Sequence, residues 1–160
     1  MKFIKTKDVK SPERAHLEDS GIDFFIPNWW QRVLLPKRRA VIQLWIKTIL
    51  PKWCDLQFVD KSGLASKFWI TILWWLIDNW YIWELAVVVY NTWEDPYLLR
   101  GGDKIVQGVI RNINCSFPEE IDEDEFFAET DFPKGKQGIM DRGMYGVQRW
   151  EGWFGSTWLE

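Results

Sequence analysis

Residues able to do chemistry are concentrated in a few short stretches, and one of them is IDNWYIWE at positions 77 to 84. It places one acid, Asp78, ahead of an amide and a tyrosine, Asn79 and Tyr81. A carboxylate beside a bound water molecule can align that water for attack on a substrate. An aspartate that opens a hairpin more commonly hydrogen-bonds its own turn, and this stretch taken alone favours that structural role.

The composition limits which partners these residues could serve. The 160-residue chain is 47% apolar and has a formal net charge of −3, with acids and bases interspersed, which indicates one soluble domain without a nucleic-acid-binding face. The single His16 excludes a multi-histidine zinc site. Cys54 and Cys115 are too far apart for a C-x-x-C pair, and no signal-peptide pattern follows Met1, so we expect free thiols in a cytoplasmic protein.

The elements that must position these residues are mainly strands. Short apolar segments separated by Pro, Gly, Asn and Asp predict an all-β barrel or sandwich. We expect strands at 2 to 5, 22 to 26, 32 to 35, 40 to 49, 54 to 59, 70 to 77, 84 to 91 and 104 to 114. One short helix is predicted at 62 to 67, with Ser62 as its N-cap.

Two other segments affect the domain organisation. The apolar run 68 to 90 is long enough to span a membrane, but Asp78 and Glu84 lie near its middle, so we interpret it as two strands joined by a turn and predict no membrane contact. The acidic run 119 to 125 is typical of a solvated surface. We predict a core at 1 to 125 and a flexible C-terminal arm at 126 to 160.

Tryptophan is unusually common, with thirteen residues against eleven glycines, and many stand where turns favour glycine. Trp53 follows Pro51 and Lys52, and Trp80 follows Asn79. An Asn-Gly turn relies on a positive φ that glycine adopts freely and a bulky side chain does not. With glycine in place of tryptophan, these segments would be ordinary turns between strands.

Five stretches, in this order and spacing, resemble the trimeric dUTP pyrophosphatase (dUTPase) family over nearly the whole chain. They are DSGIDFFIP at 19 to 27, DKSGLASK at 60 to 67, WLIDNWYIWE at 75 to 84, GDKIVQ at 102 to 107 and RWEGWFGSTW at 149 to 158. The resemblance implies a distorted jelly-roll-like β-barrel that forms a homotrimer. It also implies hydrolysis of dUTP to dUMP and pyrophosphate with Mg²⁺, and it leaves open a viral or phage origin of the gene.

The resemblance assigns roles to individual residues. Asp78 would activate the water that attacks the α-phosphorus, and Tyr81 would lie beneath the deoxyribose and exclude a 2′-hydroxyl. Lys61, Ser62, Gly63 and Gln107 would contact the phosphate chain. Asp103, which is as well explained as a turn acid after Gly101 and Gly102, would help to order the site. Lys61 replaces the usual arginine of the family, which keeps the charge but loses the bidentate fork. Asp23 would support the metal indirectly, through water.

The last stretch resembles the family's mobile C-terminal arm, which reaches a neighbouring subunit. Arg149, Ser156 and Thr157 would hold the terminal phosphates and Phe154 would stack over uracil, with Gly155 in register between them. The arm would close over the ligand and exclude water. The active sites would then depend on exchange of arms within the trimer.

This chain departs from the family mainly by carrying tryptophan where the family usually has glycine, at 45, 69, 75, 83, 150, 153 and 158, and often at 80. The consistent replacement of one residue type by one other indicates that these residues are glycine in the organism, encoded by UGA under a variant code. Reading UGA as tryptophan then wrote Trp in their place. Tryptophan at these positions would strain the backbone by about 1–3 kcal/mol wherever φ is positive. The chain as written would then fold poorly or have little activity.

Two alternatives remain open at this stage. A dCTP deaminase shares the family's fold, although the Asp-x-x-Tyr hairpin and the Phe-Gly-Ser-Thr arm favour a dUTPase. A nucleotide-gated protein-binding regulator on the same scaffold would bind dUTP without releasing pyrophosphate.

Overall fold

The computed structural model describes residues 1–74 and 76–129, apart from the side chain of Phe127, and these residues are mostly β-strand. The strands are β1 (Lys2–Lys5), β2 (Ile22–Phe25), β3 (Arg32–Leu34), β4 (Arg39–Gln43), β5 (Ile46–Ile49), β6 (Cys54–Asp60), β7 (Ile70–Trp74), β8 (Leu76–Ile77), β9 (Ala86–Asn91), β10 (Tyr97–Leu99) and β11 (Lys104–Asn112). Two short helices occur in the same ranges, α1 (Ser62–Phe68) and α2 (Glu123–Ala128).

The described strands form four antiparallel sheets. Their orders are β2-β11-β6-β8, β4-β9-β7, β1-β5 and β10-β3. The predicted all-β class is confirmed, although within the described ranges the strands form separate sheets and do not close into a barrel. Residues Met1–Cys115 form one compact unit, and a second unit begins at Ser116 and contains α2.

Most predicted strands are present, with differences at their ends. The segment 40 to 49 is two strands, because the chain turns at Trp45, whose φ is 57°. Strand β10 was not predicted. The helix at 62 to 67 is confirmed as α1, but the prediction of Ser62 as its N-cap is wrong: Lys61 occupies that position and no side chain caps the helix. Helix α2 was not predicted, and the Asp122 carboxylate caps it by accepting from Glu125 N at 2.8 Å.

The four-stranded sheet β2-β11-β6-β8, called the central sheet below, contributes large apolar side chains to the core of the first unit. Phe24 of β2 and Phe58 of β6 are both 1% exposed and meet edge to face, with ring centroids 5.3 Å apart. Burial of each such ring contributes about 1.5–3 kcal/mol. Gly108 of β11 packs so closely on these side chains that a Cβ added to it would lie 2.8 Å from Leu56 and from Phe24. Close packing therefore fixes β11 between its two neighbours.

The apolar run 68 to 90 was predicted to be two strands joined by a turn, and the turn is present at residues 79 and 80. The first of the two predicted strands is described as two short strands, β7 and β8, and the second is β9, which begins at Ala86 and ends at Asn91. No helix within the described ranges is both long and apolar enough to cross a membrane. Cys54 is buried and Cys115 exposed, and both are free thiols, which confirms that prediction.

The described tryptophans do not behave as core residues, since none of them is buried. Trp45, Trp53 and Trp69 have φ of 57°, 60° and 55°, in the left-handed region that favours glycine. The interpretation of residues 79 and 80 as a glycine-type turn is wrong, because neither Asn79 nor Trp80 is among the described residues with positive φ. Trp75, Trp150, Trp153 and Trp158 lie outside the described residues.

Candidate functional site

Three of the sequence stretches meet at the central sheet, where β11 lies between β2 and β6. The register places Gln107 opposite Asp23 on β2 and opposite Val59 on β6. Strand β6 ends at Asp60, so Lys61 leaves the sheet close to the same point. Pairing of the strands therefore gathers Asp23, Lys61 and Gln107, which are far apart in sequence.

Asp23 is the centre of a group that we call the Asp23 cluster, formed by Asp23, Lys61, Lys104 and Gln107. Its Oδ1 accepts hydrogen bonds from Lys61 Nζ at 3.0 Å and Gln107 Nε2 at 3.1 Å, and its Oδ2 is 2.6 Å from Lys104 Nζ. The Asp23 side chain is 2% exposed, whereas the two lysines are 25% and 33% exposed. A buried acid thus holds two cations whose outer surfaces reach solvent.

The protonation states of the cluster follow from these contacts. Burial acts to raise the pKa of Asp23, but hydrogen bonds from Lys104, Lys61 and Gln107, with the charge of Lys61, outweigh it and hold that pKa below 3.8. The hydrogen bond to Asp23 raises the pKa of Lys104 above 10.5, against the opposing effect of desolvation. Asp23 and Lys104 are therefore both charged at neutral pH.

The two lysines are not equally neutralised. Glu13 lies 3.8 Å from Lys104, so that lysine has two carboxylate neighbours. In the described ranges the only ion pair of Lys61 is the one with Asp23, whose carboxylate is shared with Lys104. Lys61 keeps the larger share of uncompensated positive charge and is the better placed of the two to meet an anion.

Asp60 anchors the junction between β6 and α1, called the Lys61 loop below, which consists of Lys61 and the first two residues of α1, Ser62 and Gly63. Its Oδ2 accepts from the Thr71 hydroxyl at 2.8 Å and its Oδ1 from Ile72 N at 2.9 Å, which ties the end of β6 to β7 across α1. Ser62 and Gly63 are exposed, and a Cβ at Gly63 would meet no atom within 4 Å. The loop is fixed at its base and open at its tip.

Asp103, the less certain member of the predicted site, lies in a turn. Its N donates to Arg100 O at 3.2 Å and its O accepts from Ile26 N at 2.9 Å, beside Gly102 with φ of 82°. These backbone contacts hold the turn in place and assign no role to the Asp103 carboxylate.

Asp78 lies in the loop between β8 and β9 and directly follows β8, the strand at the opposite edge of the sheet from β2, which carries Asp23. Ile77, just before it, is 1% exposed and pairs with Leu56 of β6. The backbone O of Asp78 accepts from Tyr81 N at 3.1 Å, which closes the turn. Its exposed carboxylate has no hydrogen-bond or ion-pair partner within the described residues, so it does not stabilise its own turn. The carboxylate is available to solvent or to a ligand.

Tyr81 sits in an aromatic group at the same loop. Its ring packs against the core and meets Trp83 at 5.3 Å and Trp74 at 6.4 Å between centroids, both edge to face. Its hydroxyl donates to Glu84 O at 3.2 Å. Trp80 and Trp83 are 66% and 55% exposed, so both extend this aromatic group into solvent.

Sequence reasoning missed three residues of this site, Asn79, Asp60 and Lys104. Asn79 Nδ2 donates to Pro51 O and to Cys54 O, both at 2.7 Å. Asp60 and Lys104 lie inside stretches that carry predicted site residues, which was the only signal available for them.

The structure does not unite all predicted site residues. Within the described ranges, no hydrogen bond or ion pair joins the Asp78 loop to the Asp23 cluster. Arg149, Phe154, Gly155, Ser156 and Thr157 lie outside the described residues, as does most of the predicted arm. The residues described also contain no group of three acids, histidines or cysteines able to hold a metal by themselves.

Comparison with known proteins gives a consistent result. The family model for dUTPase matches residues 7–139. The deoxyuridine 5′-triphosphate nucleotidohydrolase of Clostridium tetani is 31% identical over 145 residues, which cover 89% of this chain and 94% of that protein. The protein of the same name from Clostridium novyi is 32% identical over 135 residues, with 83% and 90% covered.

Solved structures give the same fold. The dUTPase from phage phi11 of S. aureus superimposes with a TM-score of 0.70 at 23% identity, covering 76% of this chain and 96% of that one. The native EIAV dUTPase superimposes with a TM-score of 0.65 at 21% identity, again covering 76% and 96%.

Proposed function

The chain belongs to the dUTPase family, and on this basis we propose that it hydrolyses dUTP to dUMP and pyrophosphate. The observation that carries the proposal is the position of Asp78, an exposed acid in a loop with no partner on its carboxylate within the described residues. It stands three residues before a tyrosine held against the core, in the order that the family motif requires.

Asp78 acts on water. Its carboxylate accepts a hydrogen bond from a water molecule and aligns that water in line with the bond that breaks. The water oxygen bonds to the α-phosphorus, the bond from that phosphorus to the bridging oxygen breaks, and pyrophosphate leaves with the bonding pair. The proton released by the water passes to Asp78 and from there to solvent.

Lys61, Ser62, Gly63 and Gln107 contact the phosphate chain. The uncompensated charge on Lys61 and the open tip of its loop support this assignment. A lysine offers a single compact charge where arginine offers a fork, so binding depends more on charge than on bidentate geometry. Tyr81 lies under the deoxyribose, where a ring leaves no space for a 2′-hydroxyl.

Magnesium fits this site as an ion held by substrate oxygens and waters, with Asp23 contributing indirectly through water. Both Asp23 oxygens already accept hydrogen bonds from the cluster, which leaves the acid unsuited to direct ligation. When bound, Mg²⁺ neutralises charge on the triphosphate.

The active form is a homotrimer in which each site combines residues of different copies. The strand order and register support this arrangement, because the Asp78 loop follows β8 beside Leu56 at one edge of the sheet, whereas Asp23 lies on β2 at the opposite edge. Arg149, Ser156 and Thr157 of the arm hold the terminal phosphates, Phe154 stacks over the uracil, and Gly155 binds substrate between them. Neither a deaminase nor a non-catalytic regulator is favoured by any feature of the described residues.

The test is pyrophosphate release from dUTP, measured for the chain as written and for the chain with all thirteen tryptophans replaced by glycine. In whichever chain turns over, Asp78→Asn should lower kcat by about 10²–10⁴-fold, the usual contribution of a general base. Asp95→Asn, another exposed aspartate in a turn, should leave it unchanged. No release from either chain, or full turnover in Asp78→Asn, would reject the proposal. Product analysis with dCTP separates hydrolysis from deamination.

A further inference from the structure

Asn79 forms a side-chain bridge between the Asp78 loop and a neighbouring turn. Its Nδ2 donates to Pro51 O and to Cys54 O, both at 2.7 Å. A carboxamide nitrogen has two hydrogens, so both donors are used on backbone acceptors. The bridge spans 28 and 25 residues of sequence, and it is therefore a tertiary contact and not a local turn bond.

The turn that receives Asn79 is itself held in place. Cys54 N donates to Pro51 O at 3.2 Å, and Ile113 N donates to Trp53 O at 2.9 Å. Cys54 also begins β6 and pairs with Asn112 of β11. Asn79 thus connects the loop to the same sheet that carries the Asp23 cluster.

Asp78 has few other restraints. The strand before it pairs through only two residues, Leu76 and Ile77, and its own carboxylate has no partner in the described ranges. The remaining bond of the turn joins Tyr81 N to Asp78 O at 3.1 Å. The side chain that fixes the loop on the sheet is therefore the residue next to the acid.

We propose that Asn79 is a positioning residue, which acts through Asp78 by holding the loop against the turn at residues 51 to 54. The inference rests on the proposed role of Asp78. A displacement of about 1 Å at a reacting group can lower turnover about 100-fold. Loss of the bridge should therefore lower kcat and leave KM for dUTP nearly unchanged, since Asn79 contacts no predicted phosphate ligand.

The sharpest variant is Asn79→Asp, which keeps the size of the side chain but replaces two donors by acceptors facing two carbonyls. We expect kcat to fall about 10–100-fold. The matched control is Asn91→Asp, because Asn91 Nδ2 also donates to two backbone carbonyls, Leu34 O at 3.1 Å and Asp95 O at 2.8 Å. Measured well below both Tm values, that variant should lose stability but keep kcat per folded molecule.

Hydrogen exchange provides a readout that does not depend on activity. The Tyr81 amide should lose protection in Asn79→Asp and keep it in Asn91→Asp. Unchanged protection of Tyr81 in Asn79→Asp would overturn the inference, as would unchanged kcat in a chain that hydrolyses dUTP. If Asp78→Asn alone abolishes turnover, the proposed function stands and only the role of Asn79 fails.

A second inference rests on backbone angles. Trp45, Trp53 and Trp69 are three of the four non-glycine residues with positive φ in the described ranges; the fourth is Lys37. Trp69 is the C-cap of α1, where its N donates to Ala65 O at 3.1 Å, and a left-handed C-cap is the position where helices most often use glycine. Trp53 and Trp69 are 55% and 59% exposed, so burial of the indole does not offset the strain.

The geometry points to glycine as the residue for which these three positions are built, and to UGA codons read as glycine in the gene. Replacing all three by glycine should raise Tm, on the order of 2–4 °C per position. Replacement by alanine keeps the Cβ and should not. Trp29→Gly, at an exposed position without positive φ, is the control and should lower Tm or leave it unchanged. UGG codons at these positions, or equal effects of alanine and glycine, would overturn the inference.

Discussion

Lys104 Nζ lies 2.6 Å from Asp23 Oδ2, while Lys61 and Gln107 occupy Oδ1 of the same carboxylate. Both oxygens of a nearly inaccessible acid are thus fixed by groups that reach toward solvent. Asp23 holds two lysines in place, and these lysines differ in how much of their positive charge is left unneutralised.

Mutation should distinguish the role of Lys61 from that of Lys104. Lys61→Met should raise KM for dUTP about tenfold or more, because the less neutralised cation is removed. Lys104→Met should instead raise the pKa of Asp23, because its hydrogen bond is the largest of the effects that lower that pKa. NMR titration of the Asp23 carboxyl carbon and steady-state kinetics measure the two effects. Equal effects of both variants on KM would contradict this division.

Stability should depend on pH through Asp23. Because its pKa is lower in the folded than in the unfolded chain, its contribution is present above about pH 3.8 and is lost as pH falls through the folded value. Lys104 has a raised pKa, so its contribution is present below about pH 10.5 and is lost as pH rises through its folded value. Urea unfolding from pH 2 to 11 should show both limits.

Removal of the acid should reduce that dependence. Asp23→Asn should lower the free energy of unfolding at pH 7 by about 1–3 kcal/mol, because two lysines lose their partner but can still reach water. It should also flatten the fall in stability below about pH 4. An Asp8→Asn control, at an exposed position, should do neither. If Asp23→Asn loses stability below about pH 4 as steeply as the parent chain does, other carboxylates are responsible for that loss.

Asp60 should matter for both stability and substrate binding. Asp60→Ala removes the acceptor of the Thr71 hydroxyl and Ile72 N and should destabilise the fold by about 1–3 kcal/mol. Because the base of the Lys61 loop is then released, KM for dUTP should rise as well. Thr71→Val removes only one of the two bonds and serves as the intermediate case. A stability loss with unchanged KM would show that the loop does not need this anchor.

Two glycines should respond in opposite ways to alanine. Gly108→Ala places a Cβ 2.8 Å from Leu56 and Phe24 and should destabilise the core by about 1–3 kcal/mol. Gly63→Ala meets open space inside a helix and should stabilise the fold by up to about 1 kcal/mol. If Gly63 lies against phosphate, the same change should raise KM. Thermal unfolding and kinetics on both variants provide the comparison.

The strands could be predicted from apolar alternation and turn residues, and most of them were. Strand β10 was missed because its three residues, Tyr97–Leu99, are too few to show a period. The break at Trp45 was missed because an apolar run hides a change of backbone direction. Helix α2 was missed because its first three residues are all acidic and continue the acidic run 119 to 125, so that Asp122 as an N-cap was the one helix signal.

The Asp23 cluster shows what sequence spacing cannot reveal. Lys104 and Gln107 are three apart, so in a regular strand they would point to opposite faces. A register shift between Lys104 and Val106 changes that alternation and lets both reach Asp23. Asn79 was missed for a different reason, since its partners are backbone carbonyls, which leave no trace in the residue types at positions 51 and 54.

The separation of the Asp78 loop from the Asp23 cluster within one described chain has a consequence for mixtures. If neighbouring copies complete each other's sites, a variant lacking Asp78 is defective in turnover and a variant lacking Lys61 is defective in binding of dUTP. Co-refolding the two would generate hybrid assemblies in which some sites carry both intact residues. The mixture would then be more active at low dUTP concentration than either variant alone, and this gain would fade on dilution as the hybrids dissociate.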